Sequence, residues 1–258
     1  MSTAGDIKTE ISDLDRQGYC IVRQFLPPAA LLELNDIAKS QLAARIEPLE
    51  LEADLKYPGA PDSRDAAGGH TVRRLLDAFG RHQRFAEWAL AERTRLWMES
   101  YFQQPARLSR AHHNCLMSKH PHYGSLTGWH RDIRYWSFER EELVSVWMAL
   151  GEERIENGAL WFIPGSHRMH FADDGFDDAK FFRADEAGNA ELIKTAVSPR
   201  LNAGDAVLFH CNTLHSAGQN QSAAVKLSLV YTYHAADNRP RPGTRSSSKS
   251  EVPLEALG

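Results

Sequence analysis

At 258 residues, 42% of them hydrophobic, the chain can fill one sizeable core, and nothing in its texture argues for a second domain. A formal net charge of −4 speaks against a general nucleic-acid binder, although basic clusters occur locally. Cys20, Cys115 and Cys211 are too few and too scattered for a disulfide framework or a zinc site, which points to a reducing, cytoplasmic setting.

The first ten residues are polar and without an apolar run, so neither a signal peptide nor a transmembrane segment is expected. Asp13 to Gln17 predicts a helix stopped by Gly18. Tyr19 to Phe25, rich in β-branched and aromatic residues, predicts a strand. Pro27-Pro28 opens an amphipathic helix carrying Leu31, Leu34, Ala38 and Leu42 at helical spacing. Residues 50–70 hold Pro58, Gly59, Pro61, Gly68 and Gly69 and predict a loop placed to cover a site. From about Thr71 to Phe102 a second helical region is expected, with Leu75, Leu76, Phe79, Phe85, Trp88 and Leu96 on its apolar face.

After Pro105 the pattern changes to short strands divided by turn residues, as far as about Tyr233. Helices first and strands afterwards predict a mainly β fold with flanking helices, a jelly roll whose mouth can hold a metal. The expected organisation is one domain over residues 1–237, with helices over about 10–104 and a jelly-roll core over about 105–237. Residues 238–258, with Ser246-Ser247-Ser248 and several Pro and Arg, predict a flexible tail.

Chemistry concentrates at His130-Arg131-Asp132 and at His215 much further on. Two imidazoles and one carboxylate on one face of Fe(II) leave the opposite face open. Alternate residues of a strand project to the same side, so His130 and Asp132 can grip one ion while His215 arrives from another strand or loop. A bare His-x-Asp triplet is a weak signal; its surroundings are stronger. They read Gly128-Trp129-His130-Arg131-Asp132, then Val144-Ser145-Val146-Trp147-Met148-Ala149-Leu150, then Glu156-Asn157-Gly158-Ala159-Leu160-Trp161-Phe162-Ile163-Pro164-Gly165-Ser166-His167. Gly204-Asp205-Ala206-Val207-Leu208-Phe209-His210 and Leu214-His215-Ser216-Ala217-Gly218-Gln219-Asn220 complete the series.

In that order these segments resemble the phytanoyl-CoA dioxygenase family of Fe(II)/2-oxoglutarate-dependent oxygenases, over roughly residues 10–235. The resemblance implies a double-stranded β-helix, and an iron(II) enzyme that consumes 2-oxoglutarate and O₂ to hydroxylate a substrate, releasing succinate and CO₂. It makes His130, Asp132 and His215 the metal ligands. His210 is the rival for the third place, but it lies within an apolar strand run, whereas His215 stands in the family's His-x-x-Gly-x-Asn context. Halogenating relatives replace the carboxylate by a small residue, so Asp132 argues for hydroxylation. His167 reads as structural.

The family places an arginine eleven residues past the distal histidine, against the far carboxylate of 2-oxoglutarate. Here that position is Lys226, which neutralises a carboxylate as a point charge without the guanidinium fork. Val225 and Leu227 flank it, so the opposite face of its strand is apolar and an inward cation needs a counter-ion. Arg74, expected in the helical preamble, and Trp147 are further cosubstrate candidates. Arg134 and Trp136 would share the side of Asp132 if its strand persisted, and could hold an anionic substrate. Arg110, Lys119 and Arg168 would enlarge that positive zone.

The family acts on small molecules and conjugates, among them acyl thioesters, amino-acid derivatives, natural-product intermediates and acidic sugars. The cationic-aromatic segment around Arg134 and Trp136 tilts the expectation toward an anionic substrate, with the Kdo sugar of lipid A as one concrete case. A lipid-linked substrate would require peripheral contact with a membrane surface. The alternative is a cupin-like metal-binding protein or sensor without oxygenase activity, or a scaffold with a vestigial ligand set.

Overall fold

In the computed structural model, which describes residues 4–55 and 57–255, helices interspersed with three strands precede a strand-rich core. In chain order the elements are α1 (Ala4–Gln17), β1 (Tyr19–Val22), α2 (Pro28–Ala43), β2 (Leu49–Leu51), β3 (Val72–Leu76), α3 (Ala78–Arg81), α4 (Gln83–Ala89) and α5 (Glu92–Phe102). Then come β4 (Ala106–Ser109), β5 (Cys115–Lys119), β6 (Thr127–His130), β7 (Leu143–Ala149) and β8 (Leu160–Phe162). The chain continues through α6 (Ala187–Ile193), β9 (Ala206–His210), β10 (His215–Ala217), β11 (Lys226–Ala235) and β12 (Val252–Pro253).

The strands form a large antiparallel sheet, ordered β1-β9-β7-β11-β5-β3-β2, and a small one ordered β6-β10-β8. Strand β11 is the spine. One of its edges pairs with β7; the other is shared by β5 along its first half and β4 along its second. Its residues alternate faces as a pleated strand must. Leu227, Leu229, Tyr231 and Tyr233 join the core beneath the helices, whereas Val230 joins the cluster between the sheets. Each fully buried Leu contributes about 1.5–3 kcal/mol. The Tyr231 and Tyr233 hydroxyls donate to the Phe85 and Ala89 carbonyls at 2.9 and 2.7 Å, tying α4 to the sheet.

Gly18 ends α1 at φ +84°, and a Cβ there would stand 2.6 Å from His167 Nδ1. Only glycine suits both the left-handed turn and the approach. Three expectations are corrected. Val72 to Leu76 is a strand rather than the start of a helix, because Arg74, Leu75 and Leu76 pair with Met117, Leu116 and Cys115. The helix at the N-terminus begins at Ala4, well before Asp13.

The third correction concerns the segment after residue 237, which is laid against the sheet as far as it is described. Val252 and Pro253 pair with Leu108 and Arg107, Leu254 is buried, and Glu251 Oε1 lies 2.6 Å from Nε2 of the wholly buried His234. Among the described residues, no helix is long and apolar enough to cross a membrane.

Candidate active site

The small sheet brings the two histidines together. In the antiparallel register of β6 and β10, His130 stands opposite His215, with ring centroids 4.2 Å apart. Strand β6 ends at His130, and Asp132 opens a single 3₁₀ turn through Tyr135, held by the Ile133 amide on the Cys211 carbonyl at 2.9 Å. The pair is therefore set by a strand end and a turn, not by alternation along one strand. Asp132 Oδ1 lies 3.5 Å from His130 Nε2 and 3.4 Å from His215 Nε2. One donor atom from each of the three lies within 4.8 Å of the others, and all three residues are buried.

Backbone carbonyls fix both rings. His130 Nδ1 donates to Gly128 O at 2.8 Å and His215 Nδ1 to Thr213 O at 3.0 Å, which leaves each Nε2 with a free lone pair. Asp132 is divided in the same way. Its Oδ2 has His113 Nδ1 at 3.3 Å and accepts from Ser145 Oγ at 3.5 Å, whereas the buried Oδ1 has no hydrogen-bond donor.

The charges at the three residues follow from burial and from one another. Burial, then His215, pulls the His130 pKa down to about 4, so it is neutral at pH 7. Burial alone would push Asp132 up, but His113 and His215 beside it hold its carboxyl well below the usual range. Burial opposes protonation of His215 too, yet Asp132 outweighs it and raises the pKa. Ligands about 2.1 Å from a first-row ion, at right angles to one another, stand about 3 Å apart. Two ring nitrogens 3.5 and 3.4 Å from one unpartnered carboxylate oxygen, with all three donors within 4.8 Å of one another, fit such an ion.

The three groups open into a cavity that also holds Tyr57, Arg73, Arg74, Lys119, Tyr135, Trp147 and Lys226. At one end Lys226 Nζ sits 3.1 Å from Glu153 Oε2, 3.4 Å from Ser228 Oγ and 5.1 Å from the centre of the Trp147 ring. Glu153 is 1% exposed; its Oε1 accepts from Trp147 Nε1 at 2.7 Å and Ser228 Oγ at 2.6 Å. Arg74 lines the cavity from β3 and grips Glu50 with two bonds of 2.7 and 2.8 Å. Arg73 bonds Glu52, Ser125 and Thr127, beneath the Tyr57 ring.

Arg134 and Trp136 are not among the residues that line this cavity. Because Asp132 begins a turn, Arg134 swings over the Phe181 ring at 4.0 Å, and Trp136 is buried with Phe138, Leu143 and Cys211. Arg110 and Arg168 also lie outside the lining, but Lys119 is part of it. His210 stays off the cavity, its ring 5.7 Å from that of His167. Sequence reasoning passed over His113, Glu153, Tyr57 and Tyr135. Glu153 carried a faint signal as one of two adjacent acids following an apolar strand; His113, in an irregular loop, carried none.

The profile of the family described as phytanoyl-CoA dioxygenase (PhyH) matches residues 14–228. The chain belongs to the phytanoyl-CoA dioxygenase family. Relatives that match this chain are named as dioxygenases and as a hydroxylase. The chain is 26% identical to ectoine dioxygenase of Sphingopyxis alaskensis over 87% of its own length and 74% of that protein's. It is 31% identical to mouse phytanoyl-CoA dioxygenase domain-containing protein 1 over 54% of its length, and spans half of that relative.

Among solved structures, EctD from S. alaskensis with 2-oxoglutarate and 5-hydroxyectoine superposes with a TM-score of 0.75 at 21% identity, covering 93% of this chain and 78% of that one. The alpha ketoglutarate dependent epimerase SnoN from nogalamycin biosynthesis gives 0.74 at 23%, covering 93% and 87%. Both establish for this PhyH chain the jelly-roll fold.

Proposed function

We propose that this chain is an iron(II)- and 2-oxoglutarate-dependent hydroxylase of a small polar organic molecule. One observation carries the reading. Three buried donors converge with their other polar atoms already satisfied, and the one carboxylate oxygen without a donor faces the two free ring nitrogens.

His130, Asp132 and His215 would hold the iron. When bound, iron and 2-oxoglutarate supply the oxidising chemistry that O₂ drives. The chain's own part is to keep both rings in one tautomer, to hold Asp132 ionised, and to shield the reacting centre from water with Phe162, Phe181 and Phe209, whose rings lie against the histidines. Lys226 and Trp147 mark the end that takes the far carboxylate of 2-oxoglutarate. Tyr57, Tyr135 and Arg73 then border the space left for substrate.

An anionic substrate loses its expected basis. Arg134 and Trp136 do not reach the cavity, and Arg73 and Arg74, which do, are matched by Glu52 and Glu50. The lipid A sugar Kdo gains no support either, since relatives are named for ectoine and L-proline. We therefore favour a small polar substrate over a lipid-linked one.

The test is succinate formation with added Fe(II), 2-oxoglutarate and ascorbate across a pool of small polar substrates, together with iron content of anaerobically prepared protein and its His130→Ala variant. Equal iron in the two would sink the ligand assignment. A second reading rests on Lys226, which Glu153 already neutralises. Full iron content without any 2-oxoglutarate-dependent turnover would favour a metal-binding jelly roll that uses no cosubstrate.

A further inference from the structure

Charges around the Lys226 end of the cavity do not balance. Lys119 and Lys226 are direct register partners on β5 and β11, and both side chains line the cavity. Like charges placed opposite each other on neighbouring strands repel, and burial makes the repulsion worse. Lys226 and Arg73 repel the Lys119 ammonium here, and Glu52 and Glu153 attract it. Arg73 is paired with Glu52 and Lys226 with Glu153. Among the described residues Lys119 has no carboxylate within ion-pair distance; its ammonium donates to the backbone carbonyls of Ala217 and Gly218.

The fold makes room for this unmatched cation. Gly158 takes φ +76°, and a Cβ there would lie 2.6 Å from Lys119 Cδ and 2.6 Å from Gly218 O. The glycine of the Glu156-Asn157-Gly158 turn thus clears the channel along which the lysine stem runs. Burial, then Lys226, pulls the Lys119 pKa down to about 7, as befits an ammonium awaiting an anion.

We propose that Lys119 shares with Lys226 the far carboxylate of 2-oxoglutarate, two lysines on adjacent strands taking the place of one guanidinium. The proposal rests on the reading above that this end of the cavity receives the cosubstrate. The incoming carboxylate supplies the missing negative charge, and Glu153 remains behind Lys226 to hold it in place. Lys119 also links the cosubstrate to β10, because the carbonyls it engages follow His215 by two and three residues.

Calorimetric titration of the Co(II)-loaded protein tests this with two ligands: 2-oxoglutarate, and 2-oxobutyrate, which keeps the keto acid end and lacks the far carboxylate. Lys119→Met is expected to weaken 2-oxoglutarate binding by about tenfold or more, while Co(II) and 2-oxobutyrate bind as before and Lys119→Arg retains most of the affinity. Unchanged 2-oxoglutarate binding in Lys119→Met, with loss in Lys226→Met, removes Lys119 and leaves the cosubstrate site standing. If the unaltered protein binds both oxo acids equally, the cosubstrate reading itself fails, and this proposal with it. Should Lys119→Met not fold, the wild-type chain gives the answer. At about pH 8, where Lys119 is largely neutral, 2-oxoglutarate should draw up a proton and 2-oxobutyrate none; equal proton counts overturn the proposal.

Discussion

Replacing Lys226 by Met removes one half of a buried ion pair and keeps most of the stem. The partner, Glu153, is 1% exposed and loses a cation at 3.1 Å. Breaking a buried pair from one side costs about 3–5 kcal/mol, because a charge is left without its counter-ion. Glu153 keeps two neutral donors, Trp147 Nε1 and Ser228 Oγ, and the repulsion between Lys226 and Lys119 is relieved. The lower limit, about 3 kcal/mol, is therefore expected.

Glu153→Gln should cost a similar amount, since it leaves Lys226 and Lys119 side by side. The double variant removes both charges, and should fall short of the sum of the singles by about 2–3 kcal/mol. Urea unfolding of the metal-free protein near neutral pH measures all three, with the slopes compared to verify that the same surface is exposed. A single Lys226→Met within about 0.5 kcal/mol of wild type, or strict additivity in the double variant, would refute the claim that Glu153 and Lys226 stabilise each other.

Lys119 gives stability a definite pH trend. Its folded pKa, near 7, lies below the ordinary 10.5, so the unfolded chain binds more protons between those values. The destabilisation is complete below about 7 and fades as pH rises toward 10.5; Lys119→Met should flatten that rise in a comparison of urea midpoints at both ends of the window. Asp132→Ala should abolish succinate formation and reduce iron content, checked by metal analysis after anaerobic purification; full iron retention would contradict its placement. Glu251→Ala leaves Nε2 of wholly buried His234 without its carboxylate and should lower stability by about 1–3 kcal/mol in urea unfolding. Gly158→Ala forces a left-handed residue and crowds Lys119; a loss of about 1–3 kcal/mol, with weaker 2-oxoglutarate binding by calorimetry, is expected.

Local pattern made much of the fold legible. Proline at the start of α2 and glycine after α1 punctuate the chain as backbone chemistry requires, and the strand-rich texture after Pro105 gives the sheet core. The convergence of His130, Asp132 and His215 was readable because their neighbours formed ordered motifs, and the burial of Lys226 because apolar residues flank it. Long-range pairing was not readable. Val72 to Leu76 suits a helix as well as a strand until Met117 and Leu116 lie alongside it. Likewise the turn after Asp132 redirects Arg134 and Trp136, and depends on a bond to Cys211 far along the chain. The partners of Asp132 and Lys226, namely His113 and Glu153, are set by tertiary contact and leave no local trace.

Strand β12 has a consequence for how the molecule behaves in company. It caps the outward border of β4, whose free amides and carbonyls would otherwise offer a template to any neighbouring chain. Pro253 within it has no amide hydrogen to extend the ladder. A short closing strap thus leaves this stretch of border with fewer groups free to pair with a neighbouring chain.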